Sequence, residues 1–154
     1  MAESSDDDLV RRRLGELVDD LRVVLPGAQV LFAFLLTLPF TSRFNFITAG
    51  AEQGVFFLAF ISSVLAAVFL IAPSALHRVY HELRDPGGLH SLLEIAGYLA
   101  VAGSFFLALS MAASVFLVTD ALYHRLAASL AAGGLLGLVA WLWFVLPLLQ
   151  RRRG

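Results

Sequence analysis

Two histidines stand four residues apart, at His77 and His81, which places both on one face of a helix. Two histidines at this spacing, together with a carboxylate such as that of Glu82, can bind zinc. The order differs from the H-E-x-x-H pattern, because the glutamate follows the second histidine. Such histidines more often cap a helix. We therefore predict no metal site, and keep His77 and His81 as the candidates should one exist.

The remaining residue types contain no arrangement for catalysis. There is no cysteine, which excludes disulfides, cysteine-ligated zinc, iron–sulfur clusters and thiol catalysis. The sequence has no phosphate-binding glycine loop, no dinucleotide fingerprint and no aromatic–basic pattern for nucleic acid. We predict no catalytic residue, no cofactor and no nucleic-acid partner. An enzyme that uses a metal at His77 and His81 is a remote alternative.

The composition indicates that lipid surrounds most of this chain. Of its 154 residues 59% are hydrophobic and only 15% are charged, and the mean hydropathy is +0.82. A soluble domain is usually about 45–50% apolar and about 25% charged. A small water-soluble fold could not bury this much apolar surface, because small domains leave a large fraction of their surface exposed. We therefore expect an integral membrane protein whose partners include membrane lipids.

Four apolar stretches predict four transmembrane helices, at about residues 26–40, 54–72, 92–119 and 126–149. The first is short for a hydrocarbon core about 30 Å thick, which needs about 20 helical residues. The loops between them are short, so consecutive helices should pack side by side. The predicted fold is all-α: an antiparallel four-helix bundle over residues 26–150, within the membrane.

The segment before the bundle predicts two further parts. Residues 1–8 are polar and acidic, and we expect them to be disordered. Residues 9–25 have apolar side chains at helical spacing and charges on the other face, which predicts an amphipathic helix. Pro26-Gly27 would bend the chain into the bilayer. This helix could lie at the lipid interface or dock on the protein's own loops, and the pattern does not choose between them.

The arginines predict the orientation. All eleven basic residues are arginine, and nine of them fall in the N-terminal segment, the loop after the second span and the tail at 151–154. The other flank has only Arg43 and Arg125. Positive charge is enriched in cytoplasmic loops, so both termini should be cytoplasmic in a multi-pass protein of the cell membrane.

Small residues on the last two spans predict how the helices associate. Gly97 and Gly103 lie on the third span, and Gly133 and Gly137 form a G-x-x-x-G pattern on the fourth. Lipid is as apolar as leucine, so membrane helices associate by close packing at such residues. We favour packing within the chain; the alternative is a homodimer contact at Gly133 and Gly137.

Charged residues near the ends of the spans form two predicted pairs. Arg43 and Asp120 fall on the outer side, where Glu52, His124 and Arg125 also lie, while Arg78 and Glu94 fall on the inner side. We interpret both pairs as structural contacts that hold loops against the bundle. A gate or an ion relay built on the same pairs is the alternative.

Three stretches carry a family resemblance: LTLPFTSRF at 36–44, IAPSALHR at 71–78 and WFVLP at 143–147. Together they resemble an uncharacterised family of small bacterial membrane proteins with four predicted spans. The resemblance implies a shared fold and an exoplasmic loop anchored by Arg43, and no activity. One departure is Gly54, where the family would have a basic residue, so a second exoplasmic contact would be missing.

These observations favour a structural or regulatory membrane protein that acts by associating with a partner or with itself. The alternative is a small ion channel or solute transporter formed by a homo-oligomer that uses the charges at the ends of the spans. A permeation path usually needs more polar lining than a single span with Gln29 and Thr37 provides. Fold alone does not assign function.

Overall fold

The computed structural model describes the backbone of residues 2–41, 50–83 and 89–145, and within those ranges the side chains of 12–41, 50–76 and 94–143 except at 14 and 18. All regular secondary structure in these ranges is helical. The four α-helices are α1 (Ala2–Thr37), α2 (Ala51–Leu83), α3 (Leu89–Leu122) and α4 (Arg125–Ala140). A 3₁₀ turn at Leu38–Phe40 follows α1, and a π-helical segment at Trp141–Val145 continues α4.

Taken with the 3₁₀ turn after α1 and the π-helical segment after α4, the four helices give four segments long and apolar enough to cross a membrane: Gly15–Phe40, Ala51–Leu76, Glu94–Leu122 and Arg125–Trp143. The all-α class and the number of candidate spans predicted from the sequence are thereby confirmed. The first span begins eleven residues before the predicted start at residue 26. The added residues include Glu16, Asp19, Asp20 and Arg22, so the uncharged stretch that can lie in hydrocarbon runs from Val23 to Phe40, close to the predicted bounds.

Helix α1 is continuous through residues that the sequence predicted as three separate parts. The structure gives residues 2–8 a helical backbone instead of a disordered one, and it has no helix end at Pro26. Acidic residues at the start of a helix are favoured by its positive end, which explains the early beginning. Proline removes one backbone hydrogen bond, and helices in a lipid environment tolerate that loss. An interfacial position for residues 9–25 stays a prediction.

The chain divides into two compact units. The first contains Met1–Phe32 and Ser63–Leu107, and the second contains Ala33–Ser62 and Ala108–Gly154. The core of the first unit is formed by Leu21, Ala28 and Leu70, with Leu17, Leu25, Ala100 and Leu107 packed against them. The α1 members of this core recur at the spacing of one helix face. The apolar face of the predicted amphipathic segment therefore packs on α2 and α3.

Helices α2 and α3 approach closely at Gly103 in the first unit. A Cβ atom placed on Gly103 would lie 2.8 Å from Leu70 Cγ and 3.1 Å from the Leu70 backbone nitrogen. Nearby, the rings of Phe69 and Phe106 stack with their centroids 5.6 Å apart. Glycine is therefore required at position 103, because any side chain would push the two helices apart.

We predict that Gly103→Ala destabilises the protein by about 1–3 kcal/mol, the usual effect of adding a methyl group to a packed interior. Gly97→Ala is the matched control on the same helix, because nothing lies within 4 Å of its Cβ position. The control should be neutral or slightly stabilising, since alanine favours helix more than glycine does. Thermal unfolding in detergent measures both. Equal stability of the two variants would contradict the close approach.

Candidate functional site

Buried serines connect α2 and α3 in the second unit. The Ser110 hydroxyl donates a hydrogen bond to the Ala59 carbonyl across the two helices, at 2.8 Å. The Ser114 hydroxyl donates to the Ser110 carbonyl on its own helix, also at 2.8 Å. Both serines are buried. Each hydroxyl proton is thus held by a backbone acceptor, whereas a nucleophilic serine would need an adjacent base. The Ser110 bond suits a packing contact between α2 and α3, and the Ser114 bond stays within α3.

The N-terminal ends of α2 and α4 meet at an ion pair. Arg125 Nη2 lies 3.7 Å from Glu52 Oε1, and the arginine side chain is 63% exposed. Glu52 suits the positive end of α2, whereas Arg125 is the first residue of α4 and is opposed by that helix's own dipole. The carboxylate offsets this repulsion. At this exposure the ion pair adds little stability, and its main effect is to place the two helix ends together.

The two ion pairs predicted from the sequence involve residues that the structure describes only in part. Arg43 lies outside the described residues, and Asp120 is half-buried on α3. Arg78 lies on the α2 backbone but its side chain is not described, and Glu94 is exposed at the start of the third candidate span. The pairing of Arg43 with Asp120 and of Arg78 with Glu94 therefore stays a prediction. The sequence missed the pairing of Glu52 with Arg125, although it placed both residues on the same side.

The histidine candidates for a metal site both fall on helix α2. The backbone of His77 and His81 is helical, as their spacing predicts, but their side chains lie outside the described set. Among the side chains that the structure does describe, no group of three or more metal-ligating residues comes together. Metal binding at His77 and His81 stays a prediction.

Helix α4 exposes its glycines on the side opposite to its buried face. Ala128 is fully buried, whereas Gly133, Gly134 and Gly137 are exposed and have no atom within 4 Å of their Cβ positions. Leu130, 68% exposed, and Trp141, 58% exposed, lie on the same side of the helix one turn before and one turn after the glycines. The result is a shallow apolar groove, which we call the α4 glycine face.

The four glycines predicted to pack helices thus lie in two different environments. Gly103 is in contact with Leu70, while Gly97, Gly133 and Gly137 have open space at their Cβ positions. The sequence favoured contacts within the chain for Gly133 and Gly137, and the structure gives them none among the residues it describes. Gly134 belongs to the same exposed patch and was not singled out from the sequence. The sequence signal for Gly134 was its place directly after Gly133 and three residues before Gly137.

A family model matches residues 3–147, a range that contains nearly all of the described helices. The family is one of unknown function, DUF6328. The chain belongs to this family. Its membership confirms the resemblance seen in the sequence to an uncharacterised family with four spans. Comparison with the curated proteins and with the solved structures found no match.

We predict that Ser110→Ala lowers stability by about 0.6 kcal/mol, the average for a hydrogen bond between membrane helices. Ser129→Ala is the control, because the Ser129 hydroxyl is exposed and donates to the Arg125 carbonyl on its own helix. That variant should leave stability nearly unchanged. Refolding titrations in mixed micelles measure the difference. A larger loss for Ser129→Ala than for Ser110→Ala would refute the role of the bond between helices.

Proposed function

We propose that this protein is a multi-pass protein of the cell membrane with a structural or regulatory role, exerted by helix–helix association with a second copy of itself. The observation that carries the proposal is the α4 glycine face, which is exposed and apolar and has no neighbour in the described part of the chain. The absence of a catalytic constellation in the sequence is consistent with a role in association.

An antiparallel arrangement of the helices is part of the proposal. Its support comes from two contacts between α2 and α3 in the first unit. Leu70 lies against Gly103, and Phe69 stacks on Phe106. The contacting residue numbers therefore decrease along α2 while they increase along α3, as in two antiparallel helices. The loop of two residues between α3 and α4 also supports it, since short loops favour antiparallel neighbours.

Both termini are proposed to be cytoplasmic. The support is the distribution of arginine, with nine on the side of the termini and two on the other. Trp141 and Trp143 are both exposed near the end of α4. Tryptophan is enriched at the boundary between lipid and water, so these side chains suit the inner membrane surface in this orientation.

The energetics of glycine explain why the α4 glycine face suits a protein partner better than lipid. Each glycine stabilises a helix by about 1 kcal/mol less than alanine would. Contact with lipid does not compensate for this lower helix stability, since lipid chains adapt equally well to an alanine surface. Contact with a second helix does compensate, because its backbone can approach and pack closely where side chains are missing. Two copies share one orientation in the membrane, so a twofold dimer would pair two α4 helices in parallel.

We predict that Gly133→Ile combined with Gly137→Ile lowers the dimer association constant in liposomes at least tenfold, or about 1.4 kcal/mol, because the added side chains separate the helices. The chain has no cysteine, so Leu130→Cys provides a unique reporter beside the face. Disulfide formation between copies, measured at increasing dilution in lipid, gives the association constant.

Gly54→Ile is the matched control for this experiment. Gly54 is an exposed helical glycine on α2 with nothing within 4 Å of its Cβ position, so the same substitution there tests nonspecific effects. The control should cross-link like the parent. Absence of cross-linking in the parent at high protein-to-lipid ratio, or equal loss in both variants, would rule out association through α4.

Transport by a homo-oligomer is the alternative to a structural role. A measurement of ion or solute flux across liposomes distinguishes the two functions. Liposomes with folded protein should show no ion or solute flux above empty liposomes if association alone is the function. If the parent protein shows flux and the Arg43→Ala and Glu94→Gln variants show less, the proposed structural role is wrong and the protein is a transporter or channel.

A further inference from the structure

The carboxylate of Glu52, in the second unit, has a neighbour on each side. Its Oε1 atom lies 3.7 Å from Arg125 Nη2, and its Oε2 atom lies 3.6 Å from the position that a Cβ atom would take on Gly50. Gly50 has a φ of +98°, a left-handed conformation that favours glycine. The carboxylate thus folds back over the residue that precedes α2 and also faces the first residue of α4. We call Gly50, Glu52 and Arg125 the α2–α4 clamp.

Helix α4 has few other contacts that fix its rotation about its own axis. Across Arg125–Ala140, where every side chain is described, Ala128 alone is buried. The neighbouring Ala127, Ala131 and Ala132 are half-buried and have the same side chain. A turned helix would therefore bury one of these alanines in place of Ala128, with little change in buried area. Packing by itself does not select one rotation of α4.

Arg125 distinguishes these rotations, because it is the one charged residue of α4. It precedes Ala128 by three residues, so the two share one side of the helix, whereas Gly134 follows it by about two and a half turns and lies on the opposite side. With Arg125 directed to Glu52, the α4 glycine face points away from α2. A helix turned by half would bring the glycines against its own chain and carry the guanidinium away from the carboxylate.

The α2–α4 clamp selects among rotations of α4 without adding much stability. The positive end of α4 repels Arg125, and the Glu52 carboxylate compensates for that repulsion. An ion pair at such an exposed site changes an equilibrium roughly two- to fivefold. This factor is small for a whole fold, but it suffices where the competing rotations bury similar areas. Polar contacts that specify one packing among several nearly equal ones act in the same way.

We propose that the α2–α4 clamp sets the rotation of α4 and thereby determines which face of that helix is presented to a second copy of the chain. Glu52 and Arg125 act as positioning residues. They keep the α4 glycine face directed away from α2 and prevent its glycines from packing within their own chain. The consequence for pairing rests on the proposed association through α4, whereas the rotation of α4 does not.

The lipid exposure of two positions on α4 measures its rotation in the absence of a dimer. Leu130 is 68% exposed, and Leu135, which is half-buried, lies about 140° round the helix from it. Full-length Leu130→Cys and Leu135→Cys proteins are spin-labelled in liposomes at high lipid-to-protein ratio, and electron paramagnetic resonance gives the collision rate with oxygen, which dissolves in lipid. In the parent this rate should be about threefold higher at position 130. Glu52→Gln should bring the ratio of the two rates close to one. An unchanged ratio in the folded variant overturns the proposal.

Matched variants separate the α2–α4 clamp from a general loss of charge. Arg125→Gln should lower the ratio as Glu52→Gln does, and the double variant should lower it no further, because both changes remove one contact. Arg125→Lys keeps the cation and should keep the parent ratio. Asp120→Asn is the control, since it removes a carboxylate of α3 that does not belong to the clamp. Equal effects of Asp120→Asn and Glu52→Gln would assign the change to charge in general and overturn the proposal.

Cross-linking at high protein density connects the rotation of α4 with association. Leu136 is 41% exposed and lies about 120° round the helix from Leu130. Disulfide formation between Leu130→Cys copies should exceed that between Leu136→Cys copies in the parent, and Glu52→Gln should reduce this preference. A preference that is unchanged in Glu52→Gln overturns the proposed consequence for pairing. Absence of cross-links in the parent contradicts association through α4, while the oxygen collision ratio still tests the clamp, so the two proposals fail separately.

Discussion

The hydrocarbon core of a membrane provides no water for hydrogen bonds and no hydrophobic force between helices, and this constraint governs the rest of the structure. Backbone groups must be satisfied within each segment, so the described chain is helical almost throughout. Helices must then be held by close packing and by a few polar contacts. Gly103 against Leu70 in the first unit and the Ser110 bond to Ala59 in the second are contacts of these two kinds.

The same constraint explains why the helices differ in how much each contributes to the packing within the chain. In an 18-residue window of the third candidate span, on α3, 39% of the residues are buried, whereas in the corresponding window of the fourth span only 6% are. Helix α3 carries Gly103 and Ser110, which both contact α2. Helix α4 is tied to α2 by an exposed ion pair at its first residue and leaves its glycines uncovered. Among the described residues, α3 therefore has a larger buried share than α4, and the low burial of α4 is the basis for the proposed association.

The sequence was sufficient for the fold class because hydropathy needs no information about contacts. It placed a segment boundary at Pro26-Gly27, whereas helix α1 runs through these residues, and Leu21 and Ala28 on either side are buried in one core. It also could not distinguish Gly103 from Gly133 and Gly137. All three are small residues on apolar helices, and only the structure shows that the first has a neighbour within the chain. The pairing of Glu52 with Arg125 depends on which helix ends meet, which spacing along the chain does not encode.

Protection of exposed apolar side chains from water tests the central claim, that lipid covers the exposed apolar helices. Val68, Val101 and Leu130 are 57%, 66% and 68% exposed in the structure, and Tyr123, between α3 and α4, is 74% exposed. Each can be replaced singly by cysteine in a chain that has none, and labelled in native membranes with a maleimide that dissolves only in water. Tyr123→Cys should react quickly, and the other three at least tenfold more slowly, since a thiol in hydrocarbon stays protonated and meets no reagent. Labelling of all four at one rate would contradict the account.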